Sequence, residues 1–133
     1  FPRPLLDRPG YDFSYSGLKT AVINHWEKEG AADRVADVAA SFQAAAVEVL
    51  VKKTMKAAAE HGLKRVVVAG GVAANKRLRE EFEKAEETGL EVWFPKMRLC
   101  TDNAVMIAQA GTRLFEKGVT HGPDLSPRAV WPL

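Results

Sequence analysis

A short apolar run that breaks at two glycines and then continues into a charged helix most constrains the fold of this chain. Val66 to Ala69 form the run, Gly70 and Gly71 break it, and Asn75 opens the helix. Glycines let backbone come close to a ligand, and the first N–H groups of a helix carry the positive end of its dipole. The pattern is typical of an anion or nucleotide site, and it is also what an ordinary tight strand-to-helix turn produces.

Length and composition predict one globular domain. The chain has 133 residues, 47% of them hydrophobic, and its net charge of +2 is too small to argue nucleic-acid binding from charge alone. The single cysteine, Cys100, excludes an internal disulfide and fits a reducing compartment. No apolar run of about 18 residues occurs, so nothing is expected to span a membrane. Because the sequence begins at Phe1 without a methionine, we expect a piece of a longer protein or a processed product.

Apolar periodicity divides the chain into alternating strands and helices. We predict strands over 11–18, 64–69 and 90–94 and helices over 19–28, 33–61, 75–88 and 101–117, with an extended proline-rich segment at 1–10 and an irregular tail at 119–133. This order implies an α/β layered domain. The uniformly apolar run at 66–69 is expected of a parallel strand that is covered on both faces.

Apolar residues at spacings of three and four predict which helix faces are buried. The expected stripes are Val35, Val38, Phe42, Ala45 and Val49 in the second helix, Leu78, Phe82 and Ala85 in the third, and Ala104, Ile107, Ala108, Gly111 and Leu114 in the last. The Gly70-Gly71 turn and the segment 98–102 both follow strands. We therefore expect them at the same edge of the sheet, where ligands bind in such folds.

The segment Cys100-Thr101-Asp102-Asn103 allows two interpretations. In the structural one, Thr101 is the helix N-cap and Asp102 lies in the first turn, where a carboxylate is favoured. In the other, Asp102 is a metal ligand or a catalytic carboxylate. The three histidines show no HxxxH or HExxH spacing, so the residues alone do not define a metal site. Cys100, without a partner, is expected to be a small buried thiol.

Ser16 and Lys19 form a Ser-x-x-Lys spacing, which can activate a serine nucleophile. It is one isolated match of a kind that is common by chance, so the spacing does not assign a role. The basic residues Lys52, Lys53 and Lys56, and likewise Lys76, Arg77 and Arg79, are expected to form solvated helix faces.

Three segments in this order and at this spacing are much more specific than periodicity. They are DFSYSGLKTAV (12–22), VVVAGGVAANKRLR (66–79) and CTDNAVMIAQAG (100–111). Together they resemble the tRNA N6-adenosine threonylcarbamoyltransferase family, long labelled O-sialoglycoprotein endopeptidases or glycoproteases. The opening FPRPLLDRPG and the closing PRAVWPL also look like this family, and CTDN is similar to its bacterial or organellar branch.

The resemblance implies a fold and a division of the enzyme. The family is a two-lobed relative of the actin, sugar-kinase and heat-shock ATPases, and each lobe is built on a ribonuclease-H-like sheet. This chain would be a single C-terminal lobe over 1–133. The family's N-terminal part, with HxxxH metal histidines and a glycine-rich loop, is not in it, so the chain alone is expected to be inactive.

The resemblance also implies a reaction and a set of roles. The full enzyme transfers a threonylcarbamoyl group from threonylcarbamoyl-adenylate to N6 of an adenosine beside the tRNA anticodon. Gly70 and Gly71 would approach the adenylate, or an ATP-type nucleotide, and Asn75 would hydrogen-bond it. Asp102 would share an iron or zinc ion with the two N-terminal histidines. Ser16, Lys19, Thr101 and Asn103 would line the cleft, and no general base can be named.

Partners are implied in the same way. They are tRNA in the cytoplasm, an inactive paralogue subunit, and a small ATPase of the tRNA-modification complex. The chain alone is expected to self-associate through apolar surface left uncovered, above all at the last helix. Two other hypotheses stay open: a nucleotide-binding lobe of another superfamily member, such as a sugar kinase or carbamoyltransferase, and a non-enzymatic interaction module.

Overall fold

The computed structural model describes residues 1–29 and 33–126 of the chain, which form an α/β arrangement with a small parallel sheet. The helices are α1 (Tyr15–Glu29), α2 (Val35–Glu60), α3 (Lys76–Glu86) and α4 (Ala104–Glu116), the strands are β1 (Arg65–Val67) and β2 (Glu91–Trp93), and two short 3₁₀ helices cover Gly71–Ala74 and Met97–Leu99. The helices and strands predicted between residues 33 and 117 are all present, although most are a few residues shorter than expected. The irregular tail is confirmed as far as Ser126. The PRAVWPL segment at 127–133 lies outside the described residues.

Strands β1 and β2 pair in parallel, with Val66 opposite Val92 and Val67 opposite Trp93. Their central residues are half-buried against the core, while Val67 is 74% exposed and Trp93 is 62% exposed. The expectation that the apolar run at 66–69 is covered on both faces is therefore wrong within the described residues. One face packs on helices, and the other is open.

The core lies where α2 and α3 pack on the covered face of the sheet. Its buried members are Val47, Val51, Leu78, Phe82 and Ala85. The three from α3 are those that the helical spacing predicted, because positions three and four apart share one face. Phe94, just after β2, meets Phe82 edge-on at 6.0 Å between ring centres, so the core extends to the carboxyl end of the sheet.

The predicted strand over 11–18 is wrong. Residues 15–18 already belong to α1, and Leu18 is only 1% exposed. The alternation of aromatics stops at Tyr15, and Ser14 offers a competing local signal for a helix start. Its Oγ atom accepts a 3.4 Å hydrogen bond from the backbone N–H of Gly17.

The N-terminal segment (residues 1–10) forms turns rather than the expected extended chain, and it is fastened to α2. Backbone bonds from Leu6 N–H to Arg3 O and from Arg8 N–H to Leu5 O, both 3.1 Å, define the turns. Lys53 is only 3% exposed, and its Nζ atom donates to the carbonyl oxygens of Arg8 and Gly10 at 2.9 Å each. The expectation of a solvated lysine face is therefore wrong for Lys53, because its ammonium replaces water with two carbonyl groups.

Two of the predicted apolar stripes are only partly buried or not buried. In α2, Ala45 and Val49 are buried, whereas Val35 is 52% exposed and Phe42 is 40% exposed. No residue of α4 is buried among the described residues, and Ile107 is 71% exposed. The spacing predicts an amphipathic helix correctly, but it does not specify which surface covers the apolar face.

Candidate functional site

The loop after β1 has the backbone geometry that the two glycines suggest. Gly70 has φ +92° and ψ 175°, a conformation that is essentially restricted to glycine. A 3₁₀ turn follows, in which the Ala73 N–H donates to Gly70 O at 3.0 Å. A Cβ atom built on Gly70 or on Gly71 would meet nothing within 4 Å. The backbone at both glycines is therefore open to close approach by another group.

Asn75 ends this loop and caps α3. Its Oδ1 atom accepts a hydrogen bond from the backbone N–H of Leu78 at 3.0 Å. Its Nδ2 atom makes no hydrogen bond with any residue that the structure describes. One half of the amide is thus used for the helix, and the other half can donate to a ligand.

A groove runs beside Asn75 along α1 and α2. It consists of two adjoining cavities of about 460 Å³ each, which share Tyr15 and Phe42 as walls. One cavity is lined by Val72 and Asn75 together with Ala39, Gln43, Ala46, Val47 and Leu50, and the other by Ser16, Lys19, Val22 and Ile23. A concave, mostly apolar space of this size with a few polar groups is typical of a small-molecule site.

Tyr15 presents a phenol group to this groove. Partial burial of the side chain raises the pKa of its hydroxyl above the ordinary value of 10.0. The hydroxyl therefore stays protonated at neutral pH. The aromatic alternation at 11, 13 and 15 predicts a strand face, so the sequence pattern identifies neither Tyr15 nor Phe42 as a groove wall.

Ser16 and Lys19 line the groove from the first turns of α1 rather than from the end of a strand. Ser16 Oγ lies 3.0 Å from Ser14 Oγ. Within the described residues no hydrogen bond joins Ser16 to Lys19. The structure therefore gives no support to a serine nucleophile that is activated by this lysine.

The loop after β2 is organised by Asn103. Its Oδ1 atom accepts from the Met106 N–H at 3.1 Å, and its Nδ2 atom donates to Thr101 O at 2.8 Å and to Leu99 O at 3.3 Å. Asn103, not Thr101, is the N-cap of α4, and Asp102 lies before the helix rather than in its first turn. Both structural expectations are wrong because asparagine caps a helix at least as well as threonine and also binds the loop carbonyls.

The carboxylate of Asp102 is exposed and makes no hydrogen bond or ion pair with the described residues. Among residues 1–29 and 33–126, no three His, Cys, Asp or Glu side chains come close enough to hold a metal ion. The described residues therefore do not fit a metal by themselves.

Arg79 joins the two loops, which confirms that they lie at the same edge of the sheet. Its Nε atom donates to Ala73 O at 2.7 Å, and its Nη2 atom donates to Pro95 O at 2.9 Å and to Cys100 Sγ at 3.3 Å. The expected solvated face is therefore wrong for Arg79. The sequence contains one clue to this role of Arg79. It lies one helical turn after Asn75 and therefore faces the same strand ends. Cys100 is buried, as predicted.

A comparison with protein families decides between the possible relatives of this chain. Residues 1–109 match the family model TsaD, described as tRNA N6-adenosine threonylcarbamoyltransferase. The chain belongs to this threonylcarbamoyltransferase family. The match includes Gly70, Gly71, Asn75 and the CTDN segment. It sets aside a sugar kinase or a carbamoyltransferase as the closer relative.

Curated members of the threonylcarbamoyltransferase family are about half identical to this chain. The enzyme of Syntrophotalea carbinolica is 50% identical and matches 100% of the chain, and that of Geobacter sp. (strain M21) is 52% identical over 100% of the chain. The enzyme of Thermotoga neapolitana is 51% identical over 90% of the chain. The chain spans only 40% of the length of the first two relatives and 36% of the third. None of the helices in the described ranges is long and apolar enough to cross a membrane.

Proposed function

We propose that this chain is the nucleotide-contacting, C-terminal lobe of a tRNA N6-adenosine threonylcarbamoyltransferase. The whole enzyme would transfer the threonylcarbamoyl group of threonylcarbamoyl-adenylate to N6 of an adenosine beside the tRNA anticodon. The observation that carries the proposal is the groove beside Asn75, whose amide N–H₂ has no partner among the described residues and whose wall includes Val72, directly after the open backbone of Gly70 and Gly71. Membership of the family supports the reaction class.

The groove and the glycine loop that leads to Val72 together offer each part of an adenylate a chemically matched surface. Tyr15, Phe42 and Val72 supply apolar walls for a flat base. The Nδ2 atom of Asn75 can donate to a ring nitrogen or a ribose oxygen. The glycine loop lets backbone N–H groups approach oxygen atoms of the ribose or phosphate without a side chain between them.

Asp102 would serve as one ligand of an iron or zinc ion whose other ligands, two histidines, lie outside this chain. Its exposure and its lack of partners among the described residues support this role better than a role in helix stability. A bound metal would act as a Lewis acid on the threonylcarbamoyl group. Thr101 and Asn103 would hold the backbone on both sides of Asp102, as the bond from Asn103 Nδ2 to Thr101 O suggests.

The proposal also covers the arrangement of the whole protein. Residues 1–133 would form one ribonuclease-H-like lobe of an actin-like, two-lobed enzyme that works in the cytoplasm. Its partners would be tRNA, an inactive paralogue subunit and a small ATPase. The 133-residue chain alone would be inactive, because it offers one metal ligand and one wall of the cleft.

The decisive experiment measures threonylcarbamoyl transfer and bound metal in the full-length protein with Asp102→Asn. We expect the folded variant to lose most of both, because the amide keeps the size of the side chain but not the charge of the ligand. Asp7→Asn, at an exposed carboxylate of the N-terminal segment, is the matched control and should leave both unchanged. Retained metal with near-normal transfer in Asp102→Asn would contradict the assignment.

The alternative of a non-catalytic interaction module is tested by titration with AMP and ATP. A nucleotide-binding lobe within the full-length protein should give saturable heat of binding, whereas an interaction module should give none. Addition of the 133-residue chain to tRNA, threonylcarbamoyl-adenylate and metal should yield no modified adenosine. Turnover by that chain would contradict the two-lobed arrangement.

A further inference from the structure

The side chain of Arg79 is placed to hold two loops in one geometry. It extends from the first turns of α3 toward the carboxyl ends of both strands. Its bond to Ala73 O fixes the loop that carries Gly70, Gly71 and Asn75. Its bonds to Pro95 O and Cys100 Sγ fix the loop that precedes Asp102. One half-buried guanidinium thus bridges the two segments to which the nucleotide and metal roles are assigned.

The guanidinium is itself held in place. Its Cζ atom lies 4.5 Å from the centre of the Phe94 ring, which packs edge-on against Phe82 in the core. An arginine cation over an aromatic face is an attractive arrangement. The bridge therefore rests on the packed part of the protein, so that neither loop can shift against the other without breaking hydrogen bonds to a charged group.

Lysine could not replace this arrangement. The planar guanidinium presents donors in a fixed fork, whereas an ammonium is a point charge on a flexible stem. The acceptors of Arg79 lie on residues 73, 95 and 100, and a lysine could not meet them together while stacked on Phe94. The neighbouring Arg77 differs, because it is exposed and pairs with Glu81 at 3.0 Å within the same helix.

We propose that Arg79 is a positioning residue, which sets the distance and angle between the Gly70–Asn75 loop and the Thr101–Asn103 segment. This proposal rests on the proposed function, since it assumes that these two segments hold the adenylate and the metal. The contacts of Arg79 that carry this role are with the protein itself. It acts through the backbone at Ala73, Pro95 and Cys100.

The test compares Arg79→Met and Arg79→Lys with Arg77→Met in the full-length protein. Methionine keeps an apolar stem over Phe94 but removes every donor. We expect Arg79→Met to weaken AMP binding at least tenfold and to speed amide exchange at least tenfold at residues 73, 75, 99 and 100. Exchange in the buried half of α2 should stay unchanged. Arg79→Lys should restore only a small part of either effect, and Arg77→Met should change both less than twofold.

Two readouts separate this proposal from the one on which it rests. Amide exchange reports the bridge whether or not a nucleotide binds, so absence of AMP binding in the unaltered protein would count against the proposed function alone. The positioning role would be overturned if Arg79→Met kept both its AMP affinity and its amide-exchange rates in the loops within twofold of those of the unaltered protein. A uniform rise in exchange across the core with unchanged AMP affinity would also overturn it, since that would indicate only a loss of stability. If Arg79→Met does not fold, the same criteria are applied to Arg79→Lys.

Discussion

The Oδ1 atom of Asn75 lies 3.0 Å from the backbone nitrogen of Leu78, so this side chain is the N-cap of α3 whatever else it does. Its other amide atom, Nδ2, faces away from that bond and has no partner among the described residues. The structural and the binding roles of Asn75 therefore use different atoms, and variants can separate them.

We predict that Asn75→Ser keeps the cap and loses the ligand contact. Serine caps a helix about as well as asparagine, so the free energy of unfolding should change by only a few tenths of a kcal/mol, whereas Asn75→Ala should lose about 1 kcal/mol. AMP affinity in the full-length protein should fall in both variants. Thermal melts beside calorimetric titrations give the two quantities. If Asn75→Ser binds AMP as tightly as the unaltered protein does, Asn75 has a purely structural role in this turn.

Substitutions at the two glycines should have opposite consequences. Gly70 has the positive φ, so Gly70→Ala should destabilise the fold by about 1–3 kcal/mol. The backbone at Gly71 has no such constraint, and a side chain there points into open space. Gly71→Val should therefore leave the melting temperature nearly unchanged and still abolish AMP binding, because its branched side chain blocks the backbone. If Gly71→Val binds AMP normally, no ligand approaches this backbone closely.

Docking of the N-terminal segment should depend on pH through Glu48. Hydrogen bonds from Lys52, and then from Arg3, lower the pKa of Glu48 below its ordinary value of 4.5. A carboxyl with a lowered folded pKa contributes stability above its unfolded pKa, and that contribution is lost as the pH falls through the folded value. Glu48→Gln should thus melt below the unaltered protein at neutral pH, and the difference should shrink as the pH falls below the ordinary pKa of 4.5 and through the lowered pKa of the folded state. A melting difference that is independent of pH would exclude the ion pairs as its source.

The 133-residue chain alone should self-associate through α4. The large apolar residues of α4 that are exposed are Val105, Met106, Ile107, Leu114 and Phe115. A second copy of the helix would cover them from water. Ile107→Glu should shift the chain toward monomer in sedimentation, whereas Gln109→Glu on the same helix should not. A compact monomer over a wide concentration range would contradict the prediction.

Features that depend on neighbours in sequence could be predicted best. The helices and strands after residue 33, the glycine turn and the inward residues of α3 follow from spacing and capping. The strand predicted at 11–18 is wrong for a local reason. The run of alternating aromatics is too short to pair with another strand, and a helix starts directly after Ser14 instead.

Features that depend on contacts between distant residues could not be predicted. Lys53 and Arg79 occur in basic runs, and their residue type does not distinguish them from their solvated neighbours. Lys53 donates hydrogen bonds to carbonyl groups that lie 45 and 43 residues away in the sequence. Arg79 donates to carbonyl groups that lie 6 and 16 residues away. The groove beside Asn75 likewise requires α1, α2 and the glycine loop to meet, and the local patterns identify only Asn75, Ser16 and Lys19 among its lining as candidates.

The burial of Cys100 gives the protein a built-in reporter. It is the single thiol in the sequence, it is 4% exposed, and it accepts a hydrogen bond from Arg79. A thiol reagent can reach it only when the loop after β2 opens. The rate of labelling in the unaltered protein therefore measures how often that opening occurs, without an engineered cysteine and before any ligand is known. Slower labelling on addition of a small molecule would identify compounds that close the loop.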